Sequence, residues 1–184
     1  EQPTVNQSDA KRRVNSVFGG VSLGFQNFFF VDFSGRNDWS STLPKENNSY
    51  FYPAVTGSFV FSELMDASWL SYGKVRGGWS QVRNDTDPYL LRNVYVASPL
   101  SGSFMGSPAL TNQNTRSNTD LKPELVSTWE IGIEAAMFQK RLMFDVTYYN
   151  KTTEDLIMPV QASASTGFGF KNLNAGTMEN KGIE

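Results

Sequence analysis

The segment Arg141-Leu-Met-Phe-Asp-Val-Thr-Tyr-Tyr-Asn-Lys-Thr-Thr-Glu-Asp155 has a strict two-residue period. Leu142, Phe144, Val146 and Tyr148 alternate with Met143, Asp145, Thr147 and Tyr149. In an extended strand this makes one face apolar and sets a carboxylate in the middle of the other. The fold must give the first face an oily neighbour and the second a wet one, which an antiparallel sheet can do.

The same period recurs along the chain and predicts seven strands. The first covers roughly 14–25, with Val17, Val21, Leu23 and Phe25 on one face and Ser16, Phe18, Ser22 and Gly24 on the other. Gln26-Asn27 is a tight turn, since Asn accepts the positive φ a short hairpin needs. The second strand, roughly 28–36, opposes Phe29, Val31 and Phe33 to Asp32, Ser34 and Arg36. The third, roughly 50–62, opposes Val55, Phe59 and Phe61 to Thr56, Ser58 and Ser62, and a short helical turn is expected within 63–71. The fourth, roughly 72–82, sets Val75 and Trp79 against Lys74, Arg76 and Ser80. The fifth, roughly 126–136, sets Trp129, Ile131, Ile133 and Ala135 against Thr128, Glu130 and Glu134. The sixth is the opening segment, and a seventh begins near Asn174. Roughly 83–124 and 153–171 read as irregular loops.

The polar faces therefore carry charge in mid-strand: Asp32, Lys74, Arg76, Glu130, Glu134 and Asp145. The connections also alternate in length, about two, thirteen, ten, forty, four and twenty residues. Short turns at one end of a sheet and long loops at the other is the pattern of outer-membrane barrels. There the oily face touches lipid, the charged face lines a wet lumen, and aromatics near strand ends (Trp79, Trp129, Tyr148, Tyr50 and Tyr52) suit the two interfaces. Alternating strands with aromatic ends also build soluble sandwiches, so periodicity alone leaves both architectures open.

Composition narrows the function classes. Net charge is −2, which gives no footprint for nucleic acid. The chain has no Cys and no His, so disulfides, thiolate metal sites and the commonest general base are all excluded. The N-terminal residues are not a signal peptide, and no run approaches the ~18–20 apolar residues of a spanning helix. The pattern stops at Lys181-Gly-Ile-Glu184 without a turn signal, as expected of a piece of a longer chain.

Asn118-Thr-Asp-Leu-Lys-Pro-Glu124 followed by Glu130-Ile-Gly132 resembles the signature of TonB-dependent outer-membrane transporter barrels. Arg141–Tyr149 with Asn150-Lys-Thr152 and Asp155-Leu-Ile157, then Asn174-Ala-Gly176 and Asn180-Lys-Gly-Ile-Glu184, resemble the strands that follow it. Asn15-Ser-Val-Phe-Gly19, Ser34-Gly-Arg-Asn-Asp38, Phe51-Tyr-Pro-Ala-Val55 and Leu70-Ser-Tyr-Gly-Lys-Val-Arg76 are similar to SusC/RagA-type transporters of Bacteroidetes. The likeness covers about residues 12–184, with departures at Gly20, Asp38-Trp39, Lys74-Val75 and Gly77-Gly78-Trp79. It implies an all-β antiparallel meander that forms part of a barrel of about 22 strands. Residues 1–184 would then be a partial barrel of about seven strands, with the plug domain and remaining strands elsewhere. It further implies uptake of an oligosaccharide or peptide, a SusD-like surface lipoprotein, energy from TonB–ExbB–ExbD, outer-membrane lipid as surroundings and pairing of two transporters. A siderophore-type receptor of the same fold and a soluble sandwich binding module or adhesin are the alternatives.

No catalytic residue and no cofactor is expected. Glu130, Glu134 and Asp145 share a face, as a carboxylate pair of a glycosidase would, but balance by Lys74 and Arg76 in a wet lumen explains them. Asn84-Asp-Thr-Asp87 has spaced oxygen ligands yet lacks the Gly and Glu of a calcium loop, and reads as solvated. Gly167-Phe-Gly-Phe170 lacks the residues of a phosphate loop. The loop aromatics Trp39, Tyr89, Tyr95, Phe104 and Phe168 are the candidates for substrate or partner contact.

Overall fold

The structure is a computed structural model that describes residues 10–88, 90–97, 103–104, 107–108 and 110–184. In chain order the strands are β1 (Val14–Phe25), β2 (Phe29–Ser40), β3 (Ser49–Phe59), β4 (Leu70–Asn84), β5 (Tyr95–Ala97), β6 (Ser103–Phe104), β7 (Ser107–Pro108), β8 (Leu110–Asn112), β9 (Thr115–Arg116), β10 (Glu124–Met137), β11 (Leu142–Glu154), β12 (Ile157–Gln161), β13 (Phe170–Asn174) and β14 (Met178–Ile183). Seven of them form one sheet in the order β1-β2-β3-β4-β10-β11-β14, every neighbour antiparallel. The sheet is open, with β1 and β14 at its edges.

Side chains directly opposite each other in an antiparallel pair share a face. The register therefore carries each face across the whole sheet. Leu23 pairs with Val31, Val31 with Gly57, Gly57 with Gly77, Gly77 with Ile131 and Ile131 with Tyr148. The next row runs Phe25, Phe29, Phe59, Val75, Ile133 and Val146. We call this the outward face. The inward face carries the row Ser22, Asp32, Thr56, Gly78, Glu130 and Tyr149, and beside it Lys74, Glu134 and Asp145. A one-residue slip in any strand would put its apolar set into the charged rows, so the alternation fixes the register.

The hydrophobic set is left uncovered. Leu23 is 58% exposed, Phe25 57% and Ile131 52%. The chain exposes 13250 Å², whereas a compact chain of 20.5 kDa exposes roughly 8,900 Å². This is a wall two side chains thick, and the few buried apolar residues among those described, Leu43, Tyr50, Val60, Leu121, Ala135 and Ala136, sit mainly where loops fold back on strand ends.

Turns 26–28 and 138–141 and the segment 60–69 close one end of the sheet; loops 41–48, 85–123 and 155–177 leave the other. Positive φ at Gln26 and Asn27, and at Phe138, Gln139 and Lys140, makes the tight turns. Several boundaries differ from the periodicity. β2 begins at Phe29 because Phe28 belongs to the turn, where its N–H donates to the Phe25 carbonyl and its ring packs edge-on against Phe25 and Phe59. β3 stops at Phe59, since Phe61–Leu64 form a 3₁₀ turn and the Phe61 ring folds over Gly73. The seventh strand of the main sheet starts at Met178 rather than near Asn174, because the residues to Asn174 belong to β13. The two long loops hold short strands where irregular chain was expected: β9, β12 and β13 join loops 85–123 and 155–177 in a small sheet of their own.

Candidate functional site

The inward wall is built by β4, β10 and β11. Lys74 Nζ lies 2.8 Å from Glu134 Oε2. The Arg76 guanidinium donates twice to Asp145, at 3.0 and 2.9 Å, and once to Thr147 Oγ1 at 2.8 Å. Its Nη1 is also 3.8 Å from Glu134. Three strands are thus joined by one planar, fork-shaped cation, a geometry Lys could not reproduce. Arg76 reaches Asp145 by lying across Gly132, which separates it from Thr147 in the register. A Cβ there would meet Thr147 Oγ1 at 2.9 Å and Arg76 Nε at 3.0 Å. Asp32 accepts from Thr56 Oγ1 at 3.3 Å, and Glu130 has no hydrogen bond or ion pair among the described residues. Asp32, Lys74, Arg76, Glu130, Glu134 and Asp145 therefore share the inward face of the sheet, and Glu134 and Asp145 are paired with cations.

Toward the loop end a second inward network forms. Asp38, only 4% exposed, accepts from Arg36 Nε at 2.7 Å and Tyr52 Oη at 2.6 Å. Tyr50 and Tyr52, with rings 5.5 Å apart, point inward with Asp38 and Arg36, so they are not interfacial aromatics of the outward face. Asp85 ends in a buried pocket of donors: Arg12, Ser40 and Thr42 all bond its carboxylate. That accounts for Asp85 as a latch between strand ends and leaves its oxygens occupied by protein. No group of metal-ligating side chains occurs among the described residues. An inward groove of about 680 Å³ lies against Phe18, Arg36, Tyr52 and Arg12. Phe18 is 81% exposed there; its place on the polar face was visible in the period but not its prominence.

The motif 118–124 turns out to be a loop clasp. Leu121 is fully buried. Asn174 accepts from Lys122 N–H at 2.9 Å and donates to the Lys122 and Asp155 carbonyls at 2.8 and 2.9 Å. Asn47 donates to the Leu121 carbonyl at 3.4 Å, and Glu124 accepts from Ile157 N–H at 2.9 Å. Loops 41–48, 85–123 and 155–177 are held together at their bases by this segment.

Of the aromatic candidates, Trp39 is not in a loop. It is in β2, opposite Asn15 and Ser49, on the outward face. Tyr95 projects from β5, 70% exposed, and Phe168 is half-buried beside the 3₁₀ turn Ala164–Thr166. Phe104 is in β6, and Tyr89 lies outside the described residues. Trp79 and Trp129 are paired on the outward face, with the Trp129 ring 5.3 Å from that of Tyr148, as interfacial aromatics would be.

An antiparallel sheet with an apolar outward face, a charged inward face, tight turns at one end and clasped long loops at the other is the wall of a transmembrane barrel. The chain belongs to the family described as TonB dependent receptor-like, beta-barrel, whose model matches residues 1–184. Curated relatives include TonB-dependent receptor P26 of Formosa agariphila, 28% identical over 176 residues, which are 94% of this chain and 18% of that protein. TonB-dependent receptor SusC of Bacteroides thetaiotaomicron is 27% identical over 181 residues, 92% of this chain and 18% of that protein. The chain thus spans less than a fifth of these relatives. Among solved structures, the RagAB peptide importer in its closed-closed state superposes with a TM-score of 0.81 at 27% identity, over 92% of this chain and 19% of that one. The siderophore receptor PirA of Pseudomonas aeruginosa, at 15% identity and a TM-score of 0.63, shares the fold.

Proposed function

We propose that this chain is part of the wall of an outer-membrane active transporter that imports oligosaccharides or peptides. It works with a SusD-like surface lipoprotein that caps the loop end, and it draws energy from TonB–ExbB–ExbD through parts of the protein outside this chain. The observation that carries the proposal is the two-faced register, joined to similarity with SusC and RagAB at 27% identity. The siderophore reading rests on fold alone. In this reading the chain performs no bond chemistry: Lys74 and Arg76 are tied to Glu134 and Asp145, and the chain contributes wall, lumen lining and loop surface. Tyr95 and Phe168, with Tyr89 and Phe104, are the loop aromatics offered to substrate or lid, and two such barrels would pair through their walls.

The test is uptake. Strains lacking the whole gene, the neighbouring lid lipoprotein, or TonB are supplied with labelled oligosaccharide and peptide mixtures. The proposal expects each deletion to abolish uptake of one class, with restoration by the intact gene. Uptake of both classes unchanged in all three strains, or loss confined to ferric chelates, would contradict it.

A further inference from the structure

The β3–β4 ladder ends early. It runs from Phe59 opposite Val75 to Ala54 opposite Ser80, although β3 begins at Ser49 and β4 continues to Asn84. Pro53 has no N–H to extend it. Above that point Ser49–Pro53 pair only with β2, and Gln81–Asn84 only with β10. Among the described residues the backbone groups facing across this splay have no strand partner, and hydrocarbon does not tolerate that. The splay therefore belongs to the head-group layer, just beyond the Trp79–Trp129 pair.

On the outward side a depression of about 400 Å³ opens at the splay. Arg83 and Lys122 line it, together with Gln81, Ser49, Phe51 and Pro53; Arg83, Gln81 and Pro53 sit at the splay itself and also border the inward groove, while the register puts Arg83 in the outward row of β4 with Trp79 and Gln81. Among the described residues neither cation has a carboxylate partner, in contrast to Arg12, Arg36, Lys74 and Arg76. Glu46 is the carboxylate on its rim, and Glu154 lies one strand beyond Leu125, the residue opposite Arg83. Directly below, a second depression of about 520 Å³ is lined by Phe51, Val55, Phe33 and Trp79 and is almost wholly apolar. Two cations above an apolar trough, at the depth where the wall changes from tryptophan to polar side chains, match an amphiphile with an anionic head.

We propose that the outward side of the β3–β4 splay binds a phosphate-bearing outer-leaflet lipid, with Arg83 and Lys122 on the phosphate and an acyl chain in the trough over Val55 and Trp79. The inference rests on the barrel reading, in which the outward face meets lipid. Lys122 holds the loop clasp through its backbone, so changing its side chain leaves the clasp intact.

The complete transporter, purified in detergent, is titrated by native mass spectrometry with bis-phosphorylated lipid A, with the same lipid stripped of both phosphates, and with inorganic phosphate. At about a factor of five for each cation near an anionic head group, Arg83→Ala with Lys122→Ala binds lipid A about 25-fold more weakly. Arg83→Lys with Lys122→Arg keeps most of the affinity, and the stripped lipid binds wild type and the alanine variant equally weakly. Undiminished binding by a heat-modifiable, folded alanine variant overturns the site. Equal wild-type affinity for stripped and phosphorylated lipid, or displacement of lipid A by millimolar phosphate, overturns it too. Failure of the wild-type protein to partition into membranes would instead overturn the barrel reading on which it rests.

Discussion

Gly132 shows how one missing side chain organises the inward wall. Arg76 needs an unobstructed path across β10 to make its paired bonds to Asp145, and only hydrogen fits beneath it. Gly132→Val should therefore push Arg76 off Asp145 and destabilise the folded barrel by about 1–3 kcal/mol, the usual cost of overpacking. Gly19 is the control: nothing lies within 4 Å of a Cβ placed there, so Gly19→Ala should stay within about 0.5 kcal/mol of wild type. Urea unfolding of the complete protein in detergent, followed by tryptophan fluorescence, separates the two. The spacing Glu130-Ile-Gly132 was legible in the sequence. Its cause was not, because Arg76 and Asp145 come together only through strand register.

At the scale of elements, the clasp and the strands make different predictions. Leu121 is fully buried and Asn174 satisfies three backbone groups of two loops. Leu121→Ala should cost about 2–5 kcal/mol locally, and Asn174→Ala should loosen the same loops. Limited proteolysis should then cut within 85–123 and 155–177 while strand resistance is unchanged, since loops open independently of the sheet they stand on. Cleavage unchanged in both variants would remove the clasp from the account. In the strands, Ile133→Arg places a charge on the outward face at mid-depth and should cost about 2–4 kcal/mol, whereas inward Thr128→Arg should cost little. The long strands were legible because eleven or more residues of β3, β4, β10 and β11 repeat one period. β5 to β9 were not, since two or three residues hold no period. Trp39 and Tyr50 were misplaced for a related reason. Near strand ends the polar pattern suggests loop, yet β2 runs on to Ser40 and the phase of β3 turns Tyr50 and Tyr52 inward.

At the scale of the whole molecule, the surface explains why this chain is a wall and not a globule. Among the described residues nothing covers its outward apolar rows, and β1 and β14 are the edges of the sheet with no further strand beside them. Residues 1–184 expressed alone in water should aggregate; a monodisperse monomer with a sharp thermal transition would be at odds with this surface. The barrel requires that one face of the sheet meet lipid and the other meet water, with a period of two. The most direct measurement of this is a nitroxide scan of Val126 to Ala136 in the complete protein in bilayers, comparing accessibility to oxygen and to a water-soluble nickel chelate. Oxygen contact should peak at Trp129, Ile131 and Ile133 and nickel contact at Thr128, Glu130 and Glu134. A flat profile, or the opposite phase, would contradict the account.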